Sequence, residues 1–409
     1  MTPLPAAVSP AGTTLLAYTL AGCALGCCSG LIPGLHANNF AFLLAAAAPA
    51  LDAPPVPLGC AMVAAGVAHT FLDVVPSLAL GVPDAAMAAA ALPGHTLVLE
   101  GRGREAMRLS AVGSGLALAI ALPAAAVVTR GMRVAYPHLR AWLPVVLGGV
   151  ALLLVITEST KRRRIAGACS FALATALGLV TLDAQPDPLV SAGGMLAPLF
   201  AGLFGVPVLV DALGGAGVPP QADARLGLSG RDLTAAAAAG AGGGAAVGYL
   251  PGVSAGVAAV LALPATAGRD PAREYVVATS GANTATAVFA LFAYWSFDAT
   301  RSGVLVALDD AGVPAALLPL LAAALIAGAV GTVAVVSLGD AALRIVGAVP
   351  HGPLVAAVLV GLAALSVAFA GAIGLAVLVA AAAVGFVPVR LGCRRVHLMG
   401  VLLGPLVIA

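Results

Sequence analysis

The chain has 409 residues, 61% of them hydrophobic and 9% charged, with a net charge of +2. Soluble globular chains carry roughly 25% charged residues, so this sequence cannot cover a water-facing surface; apolar residues run from end to end and call for lipid as solvent. With near-neutral charge and no basic stripe interleaved with aromatics, nucleic acid is excluded as a partner.

Residues 1–10 contain no Lys or Arg and read as an N-terminal tail. The apolar run that follows therefore lacks the positive n-region of a secretion signal and reads as a retained first helix. Apolar segments occur at 11–30 with a continuation to 51, 56–80, 84–99, 106–129, 141–157, 165–182, 192–212, 233–250 with a continuation to 267, 274–295, 302–308 leading into 313–338, 352–370, 371–388 and 397–409. A span needs about 20 apolar residues, so with half-helices allowed for, the expectation is an all-α integral membrane protein of about ten to twelve transmembrane segments.

Short basic loops face the cytoplasm. Lys161, Arg162, Arg163 and Arg164 form the densest cluster, and Arg225 with Arg231, then Arg390, Arg394 and Arg395, mark further cytoplasmic loops. The acidic loop 183–188 lies outside. Arg130, Arg133 and Arg140 disagree, since parity puts them outside too. The Gly-rich stretch Glu100–Glu105 lacks the Lys-Ser/Thr of a phosphate-binding loop and reads as a polar loop. Cys23, Cys27, Cys28, Cys60, Cys169 and Cys393 have no metal spacing and read mostly as small buried hydrophobes. No cofactor or metal is expected.

The pattern G-x-x-x-G-x-x-P-G occurs twice, at 26–34 and 244–252, with Pro33 and Pro251 in matching places. Downstream, Gly66-Val-Ala-His-Thr70 and Ser280-Gly-Ala-Asn-Thr284 form a second pair, with His69 matched to Asn283. The step from His69 to Asn283 is nearly as long as the step from Pro33 to Pro251. Two pairs in one order at nearly one offset imply two related halves, expected to be inverted repeats. The first would cover 11–212 with its connecting helices, followed by a cytoplasmic loop at 213–231 and the second half at 232–409.

Proline removes an amide donor and clashes with the preceding turn, and glycine admits positive φ, so both Pro-Gly pairs should break helices inside the bilayer. Broken backbone is tolerated there only when buried in protein or lining a polar cavity, and corresponding breaks in two halves point to a transporter's binding site. After the first break come Gly34, His36, Asn38 and Asn39; after the second, Gly252, Ser254 and Gly256. These suit an oxyanion, and equally suit helix capping. Asp73 lies in an apolar run with His69 and Thr70, where an ionisable group is expensive and functional, unless the region is an interfacial loop. Asn283, Thr284 and Thr286 occupy the matching stretch. Arg301, after Tyr294-Trp295, reads as an interface residue that could also reach an anion. No Ser-His-Asp set or nucleotide motif stands out, so no enzyme is expected; an intramembrane enzyme is the rival from another class.

Four stretches carry a resemblance to a family: Gly30-Leu-Ile-Pro-Gly-Leu-His-Ala-Asn-Asn39, Ala68 through Asp84, Leu92 through Ala106, and Ser280-Gly-Ala-Asn-Thr284 with Arg301-Ser-Gly303. Together they resemble the large membrane subunit (TctA) family of tripartite tricarboxylate transporters, in its shorter archaeal-type branch. The resemblance implies a secondary transporter that takes up carboxylates with a small membrane subunit and an extracytoplasmic binding protein. This chain is shorter than the classical large subunit, which argues against that assembly and its citrate-like substrate. Pro251-Gly-Val-Ser-Ala-Gly256 is also similar to the P-G-x-S-G-G motif of the polyprenyl-phosphate transporter family, which implies a lipid-carrier translocase as the alternative.

The reading is thus a multi-pass cell-membrane carrier, in contact with lipid, for a small organic anion. Gly34, His36, Asn38, Asn39, Gly252, Ser254, Gly256, Asn283 and Thr284 would bind the substrate. His69, Thr70 and Asp73 would bind a coupling Na⁺ or H⁺. The segments 35–39, 68–73, 253–256 and 283–286 should converge on one polar cavity near mid-membrane.

Overall fold

The computed structural model describes residues 10–48, 53–82, 91–184, 186–189, 194–213, 217–223, 225–250, 255, 257–258 and 270–408. Among them no strand occurs. The helices are α1 (Pro10–Gly30), α2 (Ala37–Ala47), α3 (Pro55–Leu72), α4 (Val74–Leu80), α5 (Ala91–Leu99), α6 (Gly103–Ala141), α7 (Leu143–Ile156), α8 (Lys161–Thr181), α9 (Leu196–Phe200) running through a π-turn into α10 (Val206–Ala212), α11 (Gly230–Tyr249), α12 (Pro271–Phe297), α13 (Gly303–Asp310), α14 (Leu317–Ala348), α15 (His351–Leu391) and α16 (Gly400–Ile408). Seven helical stretches are long and apolar enough to cross a membrane, and three shorter apolar ones accompany them.

Two sequence segments belong to longer elements. α6 runs unbroken through Pro123 and Pro137, and its 39 residues span about 58 Å at 1.5 Å per residue, well beyond a hydrocarbon core of about 30 Å. Arg130, Arg133 and Arg140 ride on its far end. α15 contains the segments 352–370 and 371–388, separated where Ala370 and Gly371 leave helical geometry and Gly371 takes φ 58°. The carbonyl of Ser366 lies 2.2 Å from where a Cβ on Gly374 would sit, so the chain folds back on itself there.

Burial separates centre from rim. Over an apolar 18-residue section, Pro55–Leu80 is 83% buried and Pro271–Phe297 is 89% buried, against 39% for α6, α14 and α15. The α3–α4 unit and α12 are therefore the protein-facing core, and α6, α14 and α15 present apolar faces to lipid.

Close glycine contacts fix how the elements run. α6 and α12 are parallel, with Gly113 against Val277 and Gly281 against Ala117. α14 returns antiparallel to α6, with Gly328 on Leu118 and Gly339 on Met107. α3 runs with α14, with Gly59 on Val313 and Leu320, and Phe71 on Gly328 and Gly331. α3 and α12 thus cross the core in opposite senses.

Each has a glycine-laddered companion. On α1, Gly22 faces Ala61, Gly26 faces Ala65 and Ala68, and Gly30 faces Leu72. On α11, Gly240 faces Ala278, Gly244 faces Ala282 and Ala285, and Gly248 faces Phe289. Gly22, Gly26 and Gly30 correspond to Gly240, Gly244 and Gly248 at one constant offset. Their partners Ala61, Ala65, Ala68 and Leu72 correspond to Ala278, Ala282, Ala285 and Phe289, again at a constant offset. A Cβ added on Gly26 or Gly244 would meet atoms of the facing helix closer than 3 Å. Gly26→Val and Gly244→Val should therefore each cost about 1–3 kcal/mol, read as a lowered thermal midpoint in detergent. Gly242→Val, which faces open space, should be neutral.

Charged ties close the end where α6 and α12 begin. Glu105, fully buried, accepts from Arg273 Nε at 2.8 Å, Arg102 Nε at 2.6 Å and the Gly227 amide at 2.6 Å. Arg104 pairs with Asp340 at 2.6 Å. The Gly-rich stretch is therefore a loop only to Arg102; Gly103 starts α6 and Glu105 is an anchor. The positive-inside rule would assign this Arg-rich end to the cytoplasm. A second buried carboxylate, Glu158, accepts from the Arg394 amide at 2.9 Å, from Arg394 Nε at 3.0 Å, and bonds His397 Nε2 at 2.9 Å. Burial pushes the Glu158 carboxyl up, but these bonds and the Arg394 charge outweigh it and hold it below the usual carboxylate range.

Candidate functional site

The first break is well defined. α1 stops at Gly30, Gly34 takes φ 77°, and α2 begins at Ala37. The Leu35 amide donates to the Ile32 carbonyl and the Phe40 amide to His36, so the turn satisfies part of the backbone that Pro33 opens. Leu362 of α15 packs where a Gly34 side chain would stand. α11 ends at Tyr249. Pro251, Gly252, Ser254 and Gly256 lie outside the described residues.

A cavity of about 260 Å³ lies beside the first break and the end of α11. Its polar wall holds His36, Thr70, Asn283, Thr286, Arg301 and Ser302. Its apolar wall includes Phe200, Leu291 and Ala255. His36 stacks on Phe200 with ring centroids 6.2 Å apart.

At the inner wall the two core helices are joined by polar contacts. Asn283 Nδ2 donates to Asp73 Oδ2 at 2.7 Å, and the hydroxyls of Thr70 and Thr284 lie 3.4 Å apart. Asp73 is buried between α3 and α4, which discards the interfacial-loop reading. His69, fully buried behind the wall, bonds Ser29 of α1 through Nδ1 at 2.9 Å. Ser77 Oγ donates to the Asp73 carbonyl at 2.8 Å.

Of the residues singled out from sequence, His36, Thr70, Asn283, Thr286 and Arg301 face the cavity. Asp73, Thr284 and His69 stand directly behind them. Gly34 shapes the turn without lining the cavity. Asn38 and Asn39 lie in the first turns of α2, and their side chains are outside the described residues.

Arg301 has a larger place than its sequence position indicates. It sits in the turn between α12 and α13, on the cavity wall, with its guanidinium carbon 5.0 Å from the Tyr136 ring centre. Its Nε is buried and has no hydrogen-bond partner among the described residues. Burial lowers its pKa from the ordinary arginine value, yet a guanidinium stays charged in any protein setting. The other arginines near buried carboxylates are paired; this one faces a cavity. Thr286 is legible as the polar residue three positions after Asn283, on the same helix face.

A polar cavity at the junction of a broken helix and two buried, oppositely directed helices, inside a bundle with lipid-facing flanks, is the build of a multi-pass membrane transporter. The chain matches the tripartite tricarboxylate transporter TctA family over residues 16–400 and belongs to it. That family is one of transporters, not enzymes, and the chain is a multi-pass membrane protein of the cell membrane. Family members work with a small membrane subunit and a binding protein. The chain is also 29% identical over 203 residues to the uncharacterised protein MJ1079 of Methanocaldococcus jannaschii, a match covering 48% of each chain. The matched region thus spans about half the length of that relative. No solved structure matches.

Proposed function

We propose that this chain carries a small organic anion, a carboxylate, across the membrane, driven by an ion gradient. The observation that supports this most is Arg301, a cation without a hydrogen-bond partner at Nε among the described residues, on the wall of a cavity otherwise supplied with hydroxyl, amide and imidazole groups. A guanidinium presents paired N–H donors that fit a carboxylate. Thr70, Asn283, Thr286 and Ser302 would bind the remaining oxygens. Asp73 behind Asn283 would hold the coupling Na⁺ or H⁺, so that ion and anion are felt by one side chain.

We further read the halves 11–212 and 232–409 as inverted repeats. The parallel ladders on α1–α3 and α11–α12, and the opposite sense of the two pairs, support that reading. Assembly with a small membrane subunit and a binding protein follows the family and is part of the proposal for this chain.

Equilibrium binding to a panel of mono-, di- and tricarboxylates and a polyprenyl phosphate tests the anion class. Arg301→Gln should weaken the best carboxylate about 30-fold, corresponding to about 2 kcal/mol for a partly buried charge partner, and Arg301→Lys should recover part of it. Unchanged affinity in Arg301→Gln, or binding of the lipid phosphate alone, would overturn the assignment.

A further inference from the structure

A second hollow, of about 300 Å³, opens at the outer end of the molecule between the tip of α6 and the turn after α12. Tyr136, Arg140, Tyr249, Phe297, Asp298 and Arg301 are among its lining residues. Arg301 is the residue it shares with the central cavity. We propose that this hollow is a separate anion-binding antechamber, in which Arg140 and Arg301 hold an incoming carboxylate before Arg301 admits it to the central cavity. The proposal rests on the reading of Arg301 as an anion partner, and adds a site that reading does not require.

Three observations carry it. Two arginines face one acid in the hollow. Asp298 caps α12 in the left-handed conformation, φ 55°, and no ion pair joins it to either arginine among the described residues. Arg301 lies over the Tyr136 ring, a contact that steadies a guanidinium without neutralising it. Arg140 likewise makes no salt bridge among the described residues and is exposed.

The second observation is the side of the membrane. Arg130, Arg133 and Arg140 lie at the end of α6 opposite the cytoplasmic Arg104, Arg273 and Arg344 cluster. Insertion does not favour positive charge there, so its placement calls for another use, and a converging positive field draws anions into a cleft. Arg133 is spoken for by Ser296 at 2.9 Å, which leaves Arg140 as the basic residue of that group on the hollow's wall. The third is continuity. Tyr249 and Leu250 line the outer hollow while Val247 lines the inner cavity, so the end of α11 forms the partition between them.

The chain's two tryptophans, Trp142 and Trp295, are both at this end, each within two residues of the hollow's lining, and both are exposed. Collisional quenching of their fluorescence by iodide, against neutral acrylamide, therefore reports anion entry without knowledge of the substrate. In wild-type protein in nanodiscs, citrate should compete with iodide saturably. Arg140→Gln should lower the iodide constant about twofold while leaving acrylamide quenching unchanged, as loss of a local attracting charge requires. It should also slow carboxylate association and leave equilibrium affinity at the central cavity intact. An iodide-to-acrylamide ratio unaltered by Arg140→Gln, or citrate competition that never saturates, would overturn the antechamber. Failure of Arg301→Gln to weaken carboxylate binding, with the Arg140 effect present, would count against the central site alone.

Discussion

Glu105→Ala is expected to be among the most destabilising single substitutions in this protein, costing about 3–5 kcal/mol, the range for breaking a buried ion pair from one side. The reason is the number of donors that converge on one fully buried carboxylate. Arg273 reaches both of its oxygens, at 2.8 and 3.2 Å, Arg102 adds a third bond and the Gly227 amide a fourth. Removing the acceptor leaves a guanidinium that is mostly covered and an amide with no partner of equal strength. It also unties three segments at once: the first turn of α6, the first turn of α12 and the chain leading to α11. Arg273 keeps Asp270 as a neighbour, so the charge is not wholly orphaned and the lower half of the range is expected. The test is thermal unfolding in detergent, with Glu105→Met/Arg273→Met as companion. The double variant, which removes both charges, should be more stable than Glu105→Ala. A single variant with a wild-type midpoint would remove this anchor from the account.

That anchor shows where local reading ends. Gly-Arg-Gly-Arg between polar residues looks like a solvated turn because the one local partner, Arg102, reaches Glu105 as readily in an exposed loop and gives no sign of burial. Its strongest partner, Arg273, belongs to a helix far along the chain. By contrast, the break at Pro33 was legible because Pro and Gly act on their own backbone, and Asp73 was legible because a carboxylate in an apolar run is costly wherever it points. Arg301 fell between these cases. A single arginine at the end of a helix snorkels to water unless the surrounding chain curls over it, and only the fold places the α6 tip and Tyr136 there.

The second motif pair teaches something narrower. Matching polar letters aligns His69 with Asn283. The glycine ladders instead place Leu72 with Phe289 and Ala68 with Ala285, a register in which His69 corresponds to Thr286. The polar alignment is therefore nearly one helical turn out. Small residues at a close helix crossing have no freedom to drift, because any added atom clashes with backbone. Polar residues facing a cavity can shift by a turn and still reach it. In the ladder register Thr70 meets Thr284 across the core without being its counterpart. The two walls of the cavity are thus built differently: the α3 side brings the carboxylate, and the α12 side brings neutral donors.

Asp73→Asn should abolish the dependence of transport on the driving ion, and we expect it to have the largest effect on function. The substitution keeps the volume and a group able to accept from Asn283, so folding should survive. What it removes is charge. A carboxylate acting on a cation about 4 Å away contributes about 4 kcal/mol at an effective dielectric constant of 20, a change in ion affinity on the order of 10³-fold. Asn283 is the element that makes this loss visible in substrate handling. It faces the cavity while its amide is held by Asp73 at 2.7 Å, so on the proposed reading a cation on the carboxylate would change the orientation of a side chain on the anion's path. With Asn at position 73 that link is fixed in one state. Proteoliposome uptake with imposed Na⁺ or pH gradients separates the cases. If Na⁺ is the coupling ion, Asp73→Asn loses the sodium stimulation and concentrative uptake together. If H⁺ is, Asn mimics the protonated carboxyl, so exchange of labelled substrate persists while gradient-driven accumulation stops. Accumulation that still follows either gradient in the variant would show that the coupling ion binds elsewhere.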